Sequence, residues 1–420
     1  MYNKEKPHVA AKKEKAIMRK TIGQLMADLG VSRYPEHWSD FYDEVMDTYD
    51  REGCPYATAA FYERLQSEYA PFGEHLALYC RAAEEVGKNE DLSRLLSLLC
   101  HALTKRETAT ADTDVFLPPT HPDGPCRAYD MLPGLAICSA IPYSVARHRA
   151  LGIPEEKIAE NIKGLERAVN ARIQLYGAPG YHLLRWHQYT LDAKLFVLGR
   201  LQYELPAAFS AAAAVFSNEK GDVIALADGA TVHAGGRILG GFGCRETEGS
   251  FKADLTETET AWIGHPYDAR GLIGRERITL EKREFRCVLR RGDPVVSVHI
   301  PAKGHLSDDA VEESIAMAKD FFVTYFPSFS YRAFVCYSWL MDMQLVDILG
   351  EDTNISRFVR RFHTLTMKSE GAGALRFVFH RPDKNFPYSD LPERTTLERK
   401  LKELYLSERV IYEAYGYFLP

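Results

Sequence analysis

The chain has 420 residues, of which 46% are hydrophobic, 26% charged and 11% aromatic, and its formal net charge is −6. This composition is typical of a globular protein long enough for two or three domains, and the mild negative charge gives no reason to expect nucleic acid or an anionic membrane as a partner. The longest weakly polar run, residues 205–216, is far shorter than the ~20 residues of a membrane-spanning helix, so no membrane span is expected.

The first residues of the chain are basic. Residues 1–20 contain seven lysines and arginines against two glutamates, and they lack the apolar segment of a secretory signal. We predict that residues 1–19 form a flexible, solvated tail.

The cysteines and histidines give no indication of a metal site. Eight cysteines occur without a CxxC pair, and neither they nor the fourteen histidines fall into ligand-spaced clusters. Several cysteines lie among apolar neighbours, as buried free thiols do. We therefore expect a cytoplasmic protein that needs no metal.

Residues 20–195 carry apolar side chains at helical spacing and predict a helical N-terminal domain. Residues 152–177 predict a single long helix with Pro154 at its first position. The clearest apolar stripe consists of Leu92, Leu95, Leu96, Leu99 and Leu103. Stripes of this kind are typical of core packing rather than of cofactor contacts.

Alternating apolar and polar residues begin near residue 196 and predict strands. Short strands are expected around residues 222–226, 230–236 and 261–265, and residues 284–301 predict a hairpin with its turn at Gly292. The glycine-rich residues 235–243 match no phosphate-loop pattern, so turns between strands are the better interpretation.

The next elements form a crossover unit. Residues 294–301 predict a strand, residues 307–326 a helix capped by Ser307, and residues 331–341 an apolar strand. The two strands of such a unit are parallel. After it we predict helices at residues 354–362 and 395–406 and strands at 363–368, 375–380 and 415–420.

Ligands of open sheets collect at the carboxyl ends of parallel strands, which places a candidate site at the ends of strands 294–301 and 331–341. Ser297 and His299 share one face of the first strand. A histidine titrates near neutral pH and is a candidate general base, although one hydrogen-bonded to a neighbouring strand would give the same pattern. On the second strand the four candidates are Cys336 and Ser338 on one face and Tyr337 and Trp339 on the other.

Two further groups of polar residues are candidates. Arg200, Gln202 and Glu204 alternate along one strand face, which is either a solvent-facing edge or the lining of a cavity for a polar substrate. At the helix start, Asp308 and Asp309 complement the helix dipole but compete with an incoming phosphate for the N-terminal amides.

Several segments together resemble a known family. The segments LGRLQYEL, YDARGLIGRERITL, GDPVVSVHIP, AFVCYSWLMD and LPERTTLERKL occur in an order similar to that of bacterial acyltransferase domain-containing proteins. Those proteins join a helical N-acyltransferase N-terminal domain to a GNAT-like C-terminal domain. The resemblance implies an α+β chain in which residues 196–420 form a GNAT-like mixed β-sheet flanked by helices.

The family resemblance also implies a reaction. An acyl group would pass from acyl-CoA, acetyl-CoA included, or from an acyl carrier protein to the amine of a small molecule or of a protein. His299 would be the base, and Tyr337, Ser338 or Cys336 the proton donor. The substrate-binding residues would be Ser297, Lys303, Gly304, Trp339, Arg200, Gln202 and Glu204.

One segment departs from the family pattern. The family's CoA signature is Q/R-x-x-G-x-G/A, whereas PAKGHLSDD has a single glycine and an acidic helix start. This departure predicts weaker binding of the CoA pyrophosphate. It keeps open the alternative of a catalytically silent GNAT-like module that binds a ligand or partner. A hydrolase is a weaker alternative, because the sequence contains no GxSxG motif.

Overall fold

The computed structural model describes residues 19–104, 127–181, 184–302, 304–381 and 386–420. Two compact units divide the chain, Met1–Ala193 and Lys194–Pro420. Residues 1–18 of the expected basic tail, and Lys303, lie outside the described residues. The predicted α+β class is confirmed, because helices fill the first unit and a mixed sheet with flanking helices forms most of the second.

Helices joined by turns and loops make up the described residues of the first unit. Its helices are α1 (Ile22–Asp28), α2 (Trp38–Glu52), α3 (Ala59–Tyr69), α4 (Leu76–Lys88), α5 (Glu90–Thr104), α6 (Arg127–Ser139), α7 (Ile141–Ala150), α8 (Glu155–Ile162), α9 (Gly164–Tyr176) and α10 (Leu184–Leu191). The leucine stripe of α5 is buried, with exposures of 0% to 4%, because it faces the neighbouring helices. The prediction of one helix over residues 152–177 is wrong: Pro154 is the N-cap, and α8 and α9 meet at Lys163 and Gly164, where glycine lowers helix propensity.

A six-stranded sheet forms the centre of the second unit. Its strands are β1 (Leu195–Leu198), β2 (Leu201–Ala208), β11 (Pro294–His299), β12 (Phe334–Ser338), β13 (His363–Thr366) and β14 (Ala414–Phe418), in the order β1-β2-β11-β12-β14-β13. The pair β11 and β12 is parallel, as predicted, and every other pair is antiparallel.

Three small sheets occupy the sequence between β2 and β11. Their strands are β3 (Ala213–Asn218), β4 (Val223–Ala227), β5 (Ala230–Val232), β6 (Phe251–Ala253), β7 (Thr256–Glu257), β8 (Ala261–Gly264), β9 (Ile278–Glu281) and β10 (Phe285–Arg290), arranged as β10-β3-β4, β5-β6 and β7-β8-β9. The predicted hairpin at residues 284–301 is wrong. A turn is present at Arg290–Asp293, but β10 pairs with β3 while β11 joins the large sheet. The two sheets face one another across a shared core, so Leu289 of β10 and Val295 of β11 are buried in the same cluster without being ladder partners.

Five helices flank the large sheet: α11 (Asp308–Tyr325), α12 (Gln344–Leu349), α13 (Asn354–Val359), α14 (Gly373–Phe379) and α15 (Thr396–Leu406). Ser314 of α11 is fully buried and anchors the helix to the β1–β2 hairpin. Its Oγ donates to the carbonyl of Leu198 and accepts from the backbone N–H of Leu201 at 3.1 Å.

The strand predicted at residues 375–380 is wrong, because α14 occupies that segment. Leu375, Phe377 and Phe379 alternate in the sequence, but Phe377 is 63% exposed whereas Leu375 and Phe379 are buried. That spacing is the buried face of a helix. The strand predicted at residues 331–341 ends at Ser338, and Trp339 begins a short 3-10 helix.

The edge strand β13 is covered by a loop. The backbone N–H of Thr366 donates to the carbonyl of Gly271 at 2.7 Å, and the neighbouring Arg270 forms a bidentate ion pair with Asp347 of α12. The loop therefore shields an edge that would otherwise present unpaired backbone groups. None of the described helices is long and apolar enough to cross a bilayer.

Candidate functional site

The parallel strands β11 and β12 separate towards their carboxyl ends. Their ladder consists of two pairs, Val296 with Phe334 and Ser297 with Val335. Beyond these pairs each strand stays bonded only to its outer neighbour, His299 opposite Gln202 of β2 and Ser338 opposite Ala414 of β14. The inner edges of both strands are thus left without a strand partner, and the gap opens where the sequence predicted a site.

His299 and Glu204 form a pair beside this gap. The Nε2 atom of His299 lies 2.9 Å from Oε2 of Glu204, and the two side chains are 25% and 19% exposed. A carboxylate only accepts hydrogen bonds, so Nε2 carries the hydrogen in this contact. The sequence identified both residues as candidates but did not predict this contact.

Tyr337 lies on the same face of the sheet as His299. Ser297 lies opposite Glu204 on one side and Val335 on the other, and residues two apart on a strand share a face. The side chain of Tyr337 is 51% exposed. Partial burial, together with the negative charges of Glu413 and Glu370, raises the pKa of its phenol, which therefore keeps its proton at neutral pH.

Three neighbouring candidates point elsewhere. Cys336 and Ser338 lie on the opposite face of β12 from Tyr337, so the structure does not bring them together with His299. Cys336 is 1% exposed, and burial raises the pKa of its thiol to about 12. The hydroxyl of Ser338 accepts from the backbone N–H of Leu340 at 3.1 Å, and Trp339 is buried against Gly373. None of the three is oriented for proton transfer in the gap.

Arg200 holds the connection between β11 and α11. It precedes β2 in the turn after β1 rather than extending the strand face of Gln202 and Glu204. Its guanidinium donates to the carbonyls of Pro301, Gly304 and His305, each at 3.0 Å. Burial lowers the pKa of this guanidinium. Arg200 thus organises the loop at the helix start.

The acidic start of α11 is neutralised by arginines that sequence reasoning missed. Asp308 lies 2.7 Å from Nε of Arg357 and 2.8 Å from Nη2 of Arg361, and Arg361 also pairs with Glu312 of the same helix. Hydrogen bonds from Arg361, and the charge of Arg357, lower the pKa of the Asp308 carboxyl. The signal available in the sequence was the cluster of arginines in the segment SRFVRRF, which follows the crossover unit.

No group of three or more histidine, cysteine, aspartate or glutamate residues within the described part of the chain is arranged to hold a metal ion. All seven cysteines in that part are free thiols, and five of them are buried.

Family models match both units of the chain. The model of the GNAT-like C-terminal domain matches residues 195–418, which is more than half of the chain. The model of the N-acyltransferase N-terminal domain matches residues 59–192. No curated protein matches the sequence.

Solved structures with a similar fold are acyltransferases. One is an acyltransferase mutant in complex with octanoyl-CoA, with a TM-score of 0.63 and 20% identity over 96% of this chain and 100% of that one. Another is an acyltransferase in complex with CoA and 10C-teicoplanin, with a TM-score of 0.62 and 20% identity over 95% and 99% of the two chains. A third, in complex with decanoyl-CoA and teicoplanin, has a TM-score of 0.56 and 21% identity over 99% and 96%. At these identities the likeness shows the fold.

Proposed function

This chain belongs to the family defined by the GNAT-like C-terminal domain, and from that premise we propose that it is an N-acyltransferase. The donor is a thioester, acyl-CoA or an acylated carrier protein, and the acceptor is the amine of a small molecule or of a protein. The observation that carries the proposal is the gap between β11 and β12, with the His299–Glu204 pair and Tyr337 on one sheet face beside it.

The proposed reaction is direct attack of the amine nitrogen on the thioester carbonyl carbon. His299 takes the proton that the nitrogen loses, while Glu204 holds the imidazole ring through its contact with Nε2. The C–N bond forms first and gives a tetrahedral intermediate, and its collapse breaks the C–S bond while Tyr337 protonates the departing sulfur. Backbone amides on the open inner edges of the strands stabilise the oxygen of the tetrahedral intermediate. The products are an amide and a free thiol.

Charge supports a division of the site between the two substrates. The charges that act on Tyr337 are both negative, from Glu413 and Glu370, which favours an acceptor that arrives as a cationic ammonium and releases one proton to solvent before the neutral amine attacks. At the start of α11, Arg357 and Arg361 offset Asp308, so the acidic helix start opposes an incoming phosphate less than its sequence suggests. Arg200, which shapes the adjacent loop, belongs to the donor side.

Similar folds suggest which donors to test first. The solved structures contain octanoyl-CoA, decanoyl-CoA and the glycopeptide teicoplanin. We therefore extend medium-chain acyl-CoA to this chain as the leading donor class, with an amine on a larger polar molecule as one candidate acceptor.

The test measures donor binding and turnover separately. Thermal unfolding of the purified protein is followed with acetyl-, octanoyl- and decanoyl-CoA, and release of free thiol is followed with a panel of amines. We expect a saturable rise in Tm with at least one donor, and amine-dependent thiol release that His299→Ala reduces by about 10²–10⁴-fold. His305→Ala is the matched control, because its exposed side chain lies in the nearby turn and only its backbone carbonyl contacts Arg200.

Two results would contradict parts of the proposal. Absence of binding with every thioester, carrier-protein forms included, would refute the donor class. Binding that persists in His299→Ala, with no turnover by the unmutated protein on any amine, would instead favour the catalytically silent module.

A further inference from the structure

An open cavity of about 280 Å³ lies in the second unit, and part of its lining follows β13, whose end lies at the same sheet edge as the carboxyl end of β12. Its lining comes from the segment between β2 and β3, the β4–β5 turn and β5, the glycine-rich segment after β5, and the residues that follow β10 and β13. Small-molecule pockets usually measure about 300–1,000 Å³, so this cavity suits a ligand at the small end of that range.

The cavity lies between two buried apolar clusters. Ala212 and Ala230 belong to one buried cluster, with Ile238 packed against it, whereas Met367 packs against the other. Small residues, among them Ala212 and Ala230, form part of the wall, and Gly229 forms the adjoining turn with φ of +72°. No large side chain fills the space between the clusters, and its wall is mainly apolar.

Two cationic side chains, Arg291 and Lys368, line the same cavity. Neither has a carboxylate within ion-pair distance among the residues that the structure describes. The guanidinium of Arg291 makes a long contact, 3.5 Å from its Nε to the carbonyl oxygen of Ala211. Both positive charges are therefore available to an anion, unlike those of the arginines that pair with the start of α11.

From this combination we propose that the cavity binds a small organic carboxylate with a compact apolar body. The carboxylate pairs with Arg291 and Lys368, and the body covers Ala212, Ala230 and Met367. A phosphate would match the two cations but would leave the apolar wall exposed, so it is the poorer ligand. The lining of this cavity contains none of the residues assigned to the proposed acyl transfer.

The test uses hexanoate as the probe and the ε-methyl group of Met367 as the reporter. Full-length protein carrying ¹³C-methyl methionine is titrated at constant ionic strength, and the Met367 signal is assigned with Met367→Leu. We expect a saturable shift in the millimolar range with hexanoate, and little shift with hexylamine or inorganic phosphate.

Charge-removing variants test the contacts. Arg291→Gln and Lys368→Gln should each weaken hexanoate binding about two- to fivefold, and the double variant should abolish the saturable shift. Arg283→Gln and Lys319→Gln remove matched exposed charges elsewhere and should bind as the unmutated protein does. The proposal is overturned if hexanoate gives no saturable shift, if hexylamine or phosphate shifts the signal equally, or if the double variant binds normally.

Discussion

Glu204 determines which nitrogen of His299 can accept a proton. The register of β2 against β11 places Glu204 opposite Ser297, two residues from His299 on the shared face, and its carboxylate lies 2.9 Å from Nε2. Sequence alternation identified these residues separately. It could not predict the pairing, because the two strands are far apart in the chain and alternation reports a face, not a partner.

We predict that Glu204→Gln lowers acyl transfer more than donor binding. The amide can donate to Nε2, which would favour the other tautomer of the ring, with its hydrogen on Nδ1. We expect kcat to fall about 10²–10⁴-fold while the thermal shift with acyl-CoA is retained. Steady-state kinetics and thermal unfolding check this, with Glu219→Gln at an 88% exposed site as the control. An equal loss of binding and turnover would indicate a merely structural role.

Glu413 makes the stability of the second unit depend on pH. Burial alone would raise the pKa of its carboxyl, but hydrogen bonds from Ser369 and from the backbone N–H groups of Gly373 and Gly371 outweigh burial and lower it. The unfolded chain therefore binds a proton at a higher pH than the folded chain does. The stabilisation is present above the ordinary glutamate value of about 4.3 and is lost as the pH falls towards the folded-state value.

We predict that Glu413→Gln makes the free energy of unfolding depend less on pH in the acid range. The variant should lose about 1–3 kcal/mol at pH 7, since part of the hydrogen-bond set is no longer satisfied, and it should lose less stability than the unmutated protein on acidification. Urea unfolding across the acid range is the measurement. Parallel acid profiles for the two proteins would be inconsistent with this role of Glu413.

At the scale of elements, the cover over β13 depends on Gly271. Its φ is +77°, and a Cβ atom there would lie 2.8 Å from the backbone carbon and oxygen of Thr364. We predict that Gly271→Ala destabilises the protein by more than the roughly 1–2 kcal/mol expected from left-handed backbone alone, because the loop must also move off the strand.

The matched control for Gly271 is Gly292→Ala. Gly292 has φ of +91°, but a Cβ atom added there would meet no other atom within 4 Å, so this position carries only the backbone cost. Denaturant unfolding of both variants separates the two effects. Equal losses of stability would mean that the loop does not depend on close approach to β13.

Local patterns predicted elements well but not their partners. The crossover unit and the parallel strands β11 and β12 follow from short-range periodicity and from connection rules. Ser307 occupies the predicted N-cap position of α11, but its side chain makes no capping hydrogen bond there. The prediction of a hairpin at residues 284–301 was wrong, because the residues of a turn do not determine which sheet each flanking strand joins. The separation of β11 from β12, and the arginines that pair with Asp308, depend on tertiary contacts that no local pattern contains.

At the scale of the molecule, the second unit contains its own cores. Three buried apolar clusters lie within Lys194–Pro420, with members between Phe209 and Leu419. Every strand pairing of the large sheet lies within the same unit. We predict that residues 194–420 expressed alone unfold in one cooperative transition, measured by circular dichroism. A fragment of residues 201–420, which lacks the edge strand β1, should be less stable. A non-cooperative 194–420 fragment that binds a hydrophobic dye would contradict the prediction.

The order of strands in the large sheet has a consequence for biosynthesis. β14 lies between β12 and β13, although it is made after both of them. While the ribosome is still adding the segment before β14, β12 has no neighbour on that side and β13 has no strand partner in the sheet. Pairings between strands that are distant in the chain slow folding. Until they form, the unpaired strand edges can bind other nascent chains. The sheet can therefore close only after translation has passed β14, and until then the edges of β12 and β13 are open to pairing with other chains.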